Sequence, residues 1–353
     1  VCKSTILEKN GLRLLITGSS PDMGVFNEGL GLYMNDYTVA IKEEIQRNKG
    51  KYDVCILLSH LGTFADEPLA NEIEEIDIII SAHDHKLFTE AKLINNTIMN
   101  SAGNYGEYLG IVEIEVTRGK VDLIHSQTIS TKEIQEDPQV ISVLKVNKTK
   151  AVNVLSQPLY TLGNPLWHDV VEENPISELV ADGVKDMLKA EIWLISSGIC
   201  NAGIFHEMSR KKLIEICPSP LNPTLFEIQG KHIQEALQSS LDAQVCLAEG
   251  RGPGFRGRFV GRLHVSGLKI EHDGKHIKTI YLKEIPMEDE KWYLVASSDY
   301  LQRGSGYPSL AINQNETYWA EEIKDIIQIY GEKPEFIKSA YQNRWMEVAK
   351  IRG

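Results

Sequence analysis

Short apolar runs alternate with stretches of helical period along most of the chain. Residues 12–17 (Leu-Arg-Leu-Leu-Ile-Thr) and 53–59 are apolar and of strand length, and between them Tyr37, Ile41 and Ile45 recur four apart, which marks one face of a helix over 36–48. A second helix is expected around 68–74 and a buried strand over 76–80. Shorter strands follow between residues 92 and 116, with an Asn95-Asn96 turn between the first two. The pattern predicts a layered α/β domain ending near residue 130.

Residues 132–156 are polar and helix-prone with no strand run, and Gln157-Pro158 and Gly163-Asn164-Pro165 follow. A helical linker over 131–155 therefore separates a first domain (1–130) from a second (156–353), with the boundary expected near 150. In the second domain helices are predicted at 176–188 and 232–241, and strands at 192–195 and 224–228. Two further strands, 263–270 and 276–282, flank His272-Asp273-Gly274-Lys275, where Asp-Gly marks a hairpin. Residues 318–348 read as helices, so this domain is also α/β. No internal repeat appears.

Composition narrows the classes. The 353 residues suffice for two domains of ordinary size, and 42% hydrophobic with 24% charged residues is a globular balance. A formal net charge of −12 repels polyphosphate backbones and anionic lipid surfaces, which argues against nucleic-acid polymers and membranes as partners. No apolar run approaches the ~20 residues that span a bilayer. The five cysteines, Cys2, Cys55, Cys200, Cys217 and Cys246, are odd in number and contain no CxxC pair, so neither a disulfide framework nor a zinc-thiolate site is expected.

Three of the ten histidines share one placement. His60 directly follows the strand at 53–59, and His83 and His85 follow the strand at 76–80. Ligands of open α/β sheets sit at the carboxyl ends of strands, so adjacent strands would deliver all three imidazoles to one rim. On an extended segment residues i and i+2 point the same way, so His83 and His85 could grip one metal or two neighbouring metals while Asp84 points elsewhere. A single histidine at a strand end is an ordinary surface residue; three together point to a metal. His206, His232, His272 and His276 are expected to be solvated surface residues. Two loops stand out in the second domain. Asp299 to Pro308 combines glycines, Arg303 and two tyrosines, and Gly252 to Phe259 is basic and aromatic within a glycine-rich segment; either could offer an aromatic platform and a guanidinium to a small anion.

The runs Ile56-Leu57-Leu58-Ser59-His60-Leu61-Gly62, Ile76-Asp77-Ile78-Ile79-Ile80-Ser81-Ala82-His83-Asp84-His85 and Ser101-Ala102-Gly103-Asn104-Tyr105-Gly106 together resemble the 5′-nucleotidase/UDP-sugar hydrolase family of metallophosphoesterases. Asn174 to Asp182, Cys217-Pro218-Ser219-Pro220, Glu227-Ile228-Gln229-Gly230 and Asp299 to Tyr307 carry the resemblance through the second domain. It implies the C-terminal part of a four-layer α/β/β/α metallophosphoesterase domain, followed by an α/β substrate-binding domain. It also implies two divalent metal ions, Mn, Zn or similar, with His60 and His83 on one and His85 on the other. The expected activity is hydrolysis of phosphate esters of nucleotides or related small molecules.

Several family motifs are absent: the Asp-x-His, the bridging Asp and the Asn-His pair that carry the remaining ligands and the catalytic His occur nowhere in the chain. With Val1 as its first residue, the chain is expected to be a fragment, weak in metal binding and turnover by itself. The family's Asn-Gly-Gly-x-x-Arg turn appears as Ser196-Ser197-Gly198-Ile199-Cys200, without its arginine, and Arg303, Arg256, Arg258 or Arg262 is the candidate replacement. Tyr307, with Phe255 or Phe259, is the candidate for stacking on a base, so Tyr307, Arg303, Phe255 and Phe259 form the expected substrate set. Alternatives within the resemblance are a cyclic-nucleotide phosphodiesterase, a UDP-sugar hydrolase or a thiosulfate-ester hydrolase. Outside it stands a non-catalytic nucleotide-binding protein with a degenerate site. Members of the resembled family are often secreted or periplasmic, whereas unpaired cysteines fit a reducing interior, and the balance slightly favours the cytoplasm.

Overall fold

A computed structural model describes residues 3–23, 27, 31–252 and 254–348, so Val1, Cys2 and Pro253 lie outside it. The chain divides into two units between Ile141 and Ser142, within the stretch expected as a linker.

The first unit begins with a hairpin, β1 (Ser4–Lys9) and β2 (Leu12–Ser19), turning at Asn10-Gly11, whose φ angles of 52° and 78° match the left-handed pair of a two-residue turn. Helix α1 (Tyr37–Arg47) follows, capped by the Asp36 carboxylate, which accepts from the Val39 N–H at 2.8 Å. Then come β3 (Val54–Ser59), α2 (Thr63–Glu72), β4 (Ile78–Ser81), β5 (Lys92–Ile94), β6 (Thr97–Asn100) and a long hairpin of β7 (Tyr108–Thr117) and β8 (Lys120–Ser130). Six strands form one sheet in the order β1-β2-β3-β4-β6-β5, parallel from β2 through β6 and antiparallel at both edges.

Alternation along these strands assigns each face its cover. Leu15, Cys55, Leu57, Ile79 and Met99 pack under Ile41 and Ile45 of α1 and Leu69 and Ala70 of α2. On the other face Val54, Ile78 and Ile98 meet Val112, Ile114, Val121 and Leu123 of the β7–β8 hairpin. Each such Leu or Ile stabilises the unit by about 1.5–3 kcal/mol relative to exposure. Helix, sheet and second β layer are thus stacked in order, as an α/β/β arrangement.

Helix α3 (Pro138–Leu155) has no buried residue. Beyond it lie β9 (Pro158–Thr161), α4 (Pro175–Leu188), β10 (Ile192–Ser196), β11 (Glu207–Ser209), α5 (Arg210–Ile216), β12 (Pro223–Gln229) and α6 (Gly230–Ser239). The remaining elements are β13 (Leu263–Ser266), β14 (Leu268–His272), β15 (Ile277–Leu282), β16 (Ile285–Pro286), β17 (Trp292–Ser298), β18 (Asn313–Tyr318), α7 (Ile323–Tyr330), α8 (Pro334–Ser339) and β19 (Trp345–Glu347). A central sheet runs β13-β10-β17-β12-β18 and a smaller one β16-β15-β14-β19. The run expected as one strand over 263–270 is therefore two strands in two sheets, parted at Gly267 with φ 87°. The C-terminal stretch 318–348, expected to be helical throughout, also contains β19.

Strand β19 is held from both sides. Arg344, just before it, is buried; its guanidinium pairs with Glu178 and, at 2.6 Å, with Asp182 of α4, and donates to the Val265 carbonyl at 2.6 Å. Trp345 donates its indole N–H to the Leu263 carbonyl at 3.2 Å. His272 corrects the sequence reading: pairing of β14 with β19 sets its ring against Trp345 at 5.9 Å, and it is buried rather than solvated. Among the described residues no helix is long and apolar enough to cross a membrane.

Candidate functional site

Two places in the molecule collect chemistry. The first is the carboxyl rim of the parallel sheet. Adjacent strands β3 and β4 run in register, Ser59 beside Ser81, so the residues that follow them emerge side by side. His60 leaves β3 with its N–H donated to the Ser19 carbonyl of β2 at 2.9 Å. The rings of His60 and His83 face each other edge to face with centroids 5.1 Å apart, both exposed. Gly62, two residues after His60, has φ 92°, a backbone conformation that favours glycine.

His85 is placed differently from the expectation. The segment is not extended: His83 and His85 have φ of 82° and 56°, left-handed conformations uncommon for non-glycine residues and often found at functional sites. The His85 ring therefore turns towards the loop after β6, its Nδ1 3.4 Å from Asn104 Nδ2 and its centroid 6.2 Å from Tyr105. Asp84 turns back to Thr63, accepting its N–H at 3.1 Å and its hydroxyl at 2.5 Å.

Beneath the rim lies a residue that the sequence reading missed. Asp66 of α2 is fully buried and accepts hydroxyls from Ser59, at 2.5 Å, and from Ser81. It thus clasps the last residues of both histidine-bearing strands. Burial pushes its pKa up, against the two hydroxyls, which favour the carboxylate. A serine at the end of each strand and an aspartate one turn into the next helix are the pattern that would have shown it.

Neutral imidazoles are suitable donors for Zn, Mn or similar ions, and His60 and His83 fit as two ligands of one ion. Among the described residues, however, no three His, Cys, Asp or Glu side chains gather as a metal-binding group. The rim brings two imidazoles together, His60 and His83.

The second place is a cleft of about 380 Å³ in the second unit, lined by His168, Gly198, Cys200, Asn201, Arg256 and Phe259 together with their neighbours Val170, Gly257 and Arg258. That volume lies within the range of small-ligand pockets. Its floor is a close backbone contact: a Cβ on Gly198 would fall 2.0 Å from the Phe259 carbonyl oxygen, so only glycine fits there. His168 contacts the Ser197 carbonyl through Nε2 at 2.9 Å, and burial lowers its pKa, which favours a neutral ring. Arg258 lies over the Phe259 ring at 4.8 Å. Arg256 is fastened through its N–H to the Ser219 hydroxyl at 2.9 Å. Arg256 also donates its Nη1 to the Phe255 carbonyl at 2.9 Å, and Arg256 and Arg258 are both exposed where they line the cleft.

Of the expected substrate set, only Phe259 lines this cleft. Tyr307 is 1% exposed and its hydroxyl donates to the Gly261 carbonyl at 2.7 Å. Phe255 is buried, stacked on Tyr300 with centroids 4.4 Å apart. Arg303 pairs with Asp299 at 2.8 Å. His168 was not singled out by sequence, because its proximity to residues 198–201 and 256–259 exists only in the fold.

Residues 151–311 match the family model described as 5′-nucleotidase, C-terminal domain. This part of the chain is thus similar to a 5′-nucleotidase C-terminal domain. An uncharacterized metallophosphoesterase of Bacillus subtilis, YunD, is 28% identical over 333 residues, covering 90% of this chain and 71% of its own length. The trifunctional nucleotide phosphoesterase protein YfkN of the same organism is 28% identical over 242 residues, but the match spans only 16% of that longer protein and 64% of this chain. Among solved structures, a Staphylococcus aureus 5′-nucleotidase candidate in complex with α-ketoglutarate superposes with TM-score 0.66 at 12% identity, over 98% of this chain and 74% of that one. The α/β fold of the 5′-nucleotidase family is therefore shared across both units.

Proposed function

We propose that this chain acts in the hydrolysis of phosphate esters of nucleotides or related small molecules, as a hydrolase of the 5′-nucleotidase type. The observation that carries the reading is the His60–His83 pair, 5.1 Å apart at the ends of adjacent parallel strands, in a chain whose later half is similar to a 5′-nucleotidase C-terminal domain. In this reading His60, His83 and His85 are ligands of divalent ions, and further donors complete their coordination. Such ions, when bound, activate a water and neutralise phosphoryl oxygens.

The chain's own residues do the rest. Asp66 fixes the strand ends from which His60 and His83 project. In the second unit Arg256 and Arg258 attract the substrate's anionic groups, and Phe259 offers a face to an aromatic ring. Phe255 and Tyr307 act from behind: Phe255 packs under Gly257, where a Cβ would come 2.5 Å from its ring, and Tyr307 holds Gly261. Arg303, paired with Asp299, steadies the adjoining loop.

A second reading, nucleotide binding without turnover, is favoured by the absence of a third clustered donor among the described residues. One assay separates the two. Phosphate release is measured with Mn²⁺ or Zn²⁺ from nucleoside monophosphates, sugar nucleotides and cyclic nucleotides, beside equilibrium binding of the same compounds. Metal-dependent release that His83→Ala abolishes supports hydrolysis. Binding with no release from any compound overturns it.

A further inference from the structure

Helix α3 is 18 residues long, yet none of its residues is buried. Its start is fixed by the Asp137 carboxylate, which accepts the N–H groups of Gln139 at 2.7 Å and Val140 at 3.1 Å. Beyond that cap its sequence is a poor helix former. Seven of the 18 residues are β-branched, five of them valine, and such side chains lose rotamer freedom against the preceding turn. Asn147 and Thr149 turn back on the helix itself, donating to the Val143 and Lys145 carbonyls at 3.0 and 2.9 Å. Helices in proteins draw most of their stability from packing an apolar face, and α3 packs none.

The apolar positions say where such packing belongs. Val140, Leu144, Asn147, Ala151 and Val154 are spaced four, three, four and three apart, which is a coiled-coil seam with one polar residue at its centre. All five are exposed, Leu144 by 57% and Val154 by 64%. Lys148 and Lys150 stand on either side of the seam at Asn147, Lys145 is a third cation, and α3 contains no Asp or Glu. In a chain of net charge −12 this helix is therefore a basic segment.

We propose that α3 is a docking helix whose partner is an acidic amphipathic helix of another polypeptide. The partner's apolar seam packs along Val140, Leu144, Ala151 and Val154, and its carboxylates meet Lys148 and Lys150. The charges exclude other occupants. A second copy of α3 brings no carboxylate to the lysines. An anionic lipid surface suits a helix anchored by aromatic residues, and α3 has no Phe, Trp or Tyr. This does not rest on the proposed hydrolysis.

The test uses the intact chain and two synthetic helices of about three heptads, each with Leu at the seam, one flanked by Glu and the other by Lys. Binding is read by fluorescence anisotropy and by amide exchange at residues 143–154. Expected is binding of the Glu-flanked helix at least about tenfold tighter than that of the Lys-flanked one, weakening as salt is raised. The amides should exchange fast in the free chain and slowly in the complex. Leu144→Glu should abolish binding with the fold intact, since its side chain is exposed, and Lys148→Glu with Lys150→Glu should reverse the preference between the two helices. Slow exchange in the free chain would overturn the proposal, and so would equal binding of both helices or of neither. Self-association that Leu144→Glu dissociates, or adsorption to phosphatidylserine vesicles through α3, would give the face to a second copy or to a membrane instead and would equally overturn it.

Discussion

The rim of the first unit and the cleft of the second solve opposite problems. At the rim the imidazoles of His60, His83 and His85 are exposed, and order comes from below, through Asp66 on Ser59 and Ser81 and through Thr63 on Asp84. In the cleft, order comes from backbone packed on backbone at Gly198, and the charged groups Arg256 and Arg258 stand at the mouth. A site of the first kind is completed by what it binds. One of the second kind is already formed before anything arrives.

The largest effect is expected from unfastening the second unit. Arg344→Met leaves Glu178 buried without its cation and should cost that unit about 3–5 kcal/mol, read from denaturant unfolding, with Mn²⁺ binding by the first unit unchanged. Equal destabilisation of both units would erase the distinction. Gly198→Val forces a side chain onto the Phe259 carbonyl and should cost about 3 kcal/mol together with nucleotide binding at the cleft; retention of both would show that the backbone contact does not shape it.

Asp66→Ala tests the support of the rim. It leaves two buried hydroxyls without their acceptor, at a cost of about 1–3 kcal/mol to the first unit. The histidine ring resonances should shift while the second unit's melting stays put. The effect smallest near neutral pH concerns His264, fully buried, whose Nε2 lies 3.0 Å from the Asn174 N–H and whose Nδ1 lies 3.1 Å from the Arg262 carbonyl. Burial holds its pKa at about 3, against 6.5 unfolded. Between those values the unfolded chain takes a proton that the folded one refuses, so the second unit loses roughly 1.4 kcal/mol per pH unit on acidification below about 6.5. His264→Gln should flatten the slope by that amount; an unaltered slope would place the titration elsewhere.

Much of the rim was legible in the sequence, because β3 and β4 are apolar runs and histidines directly after parallel strands must reach the same edge. The His60–His83 pairing follows from that, whereas His85 escaped because left-handed backbone at two histidines breaks the i, i+2 rule. The hairpin at Asn10-Gly11 carries a strong local signal in its two turn residues, whereas β8 mixes polar and apolar residues without clear alternation. Gly267 divides an apolar run between two sheets, a decision made by tertiary packing. The cleft was least legible: His168, Gly198, Arg256 and Phe259 are brought together by contacts far apart along the chain.

The most direct test is Mn²⁺ titration of the chain, followed by paramagnetic broadening of assigned histidine ring signals. The account predicts that His60 and His83 broaden first, that His85 follows, and that His60→Ala or His83→Ala weakens binding at least about tenfold. Broadening that spares these rings, or affinity unchanged in both variants, would contradict the assignment of the rim as the metal-binding part of a phosphoester hydrolase.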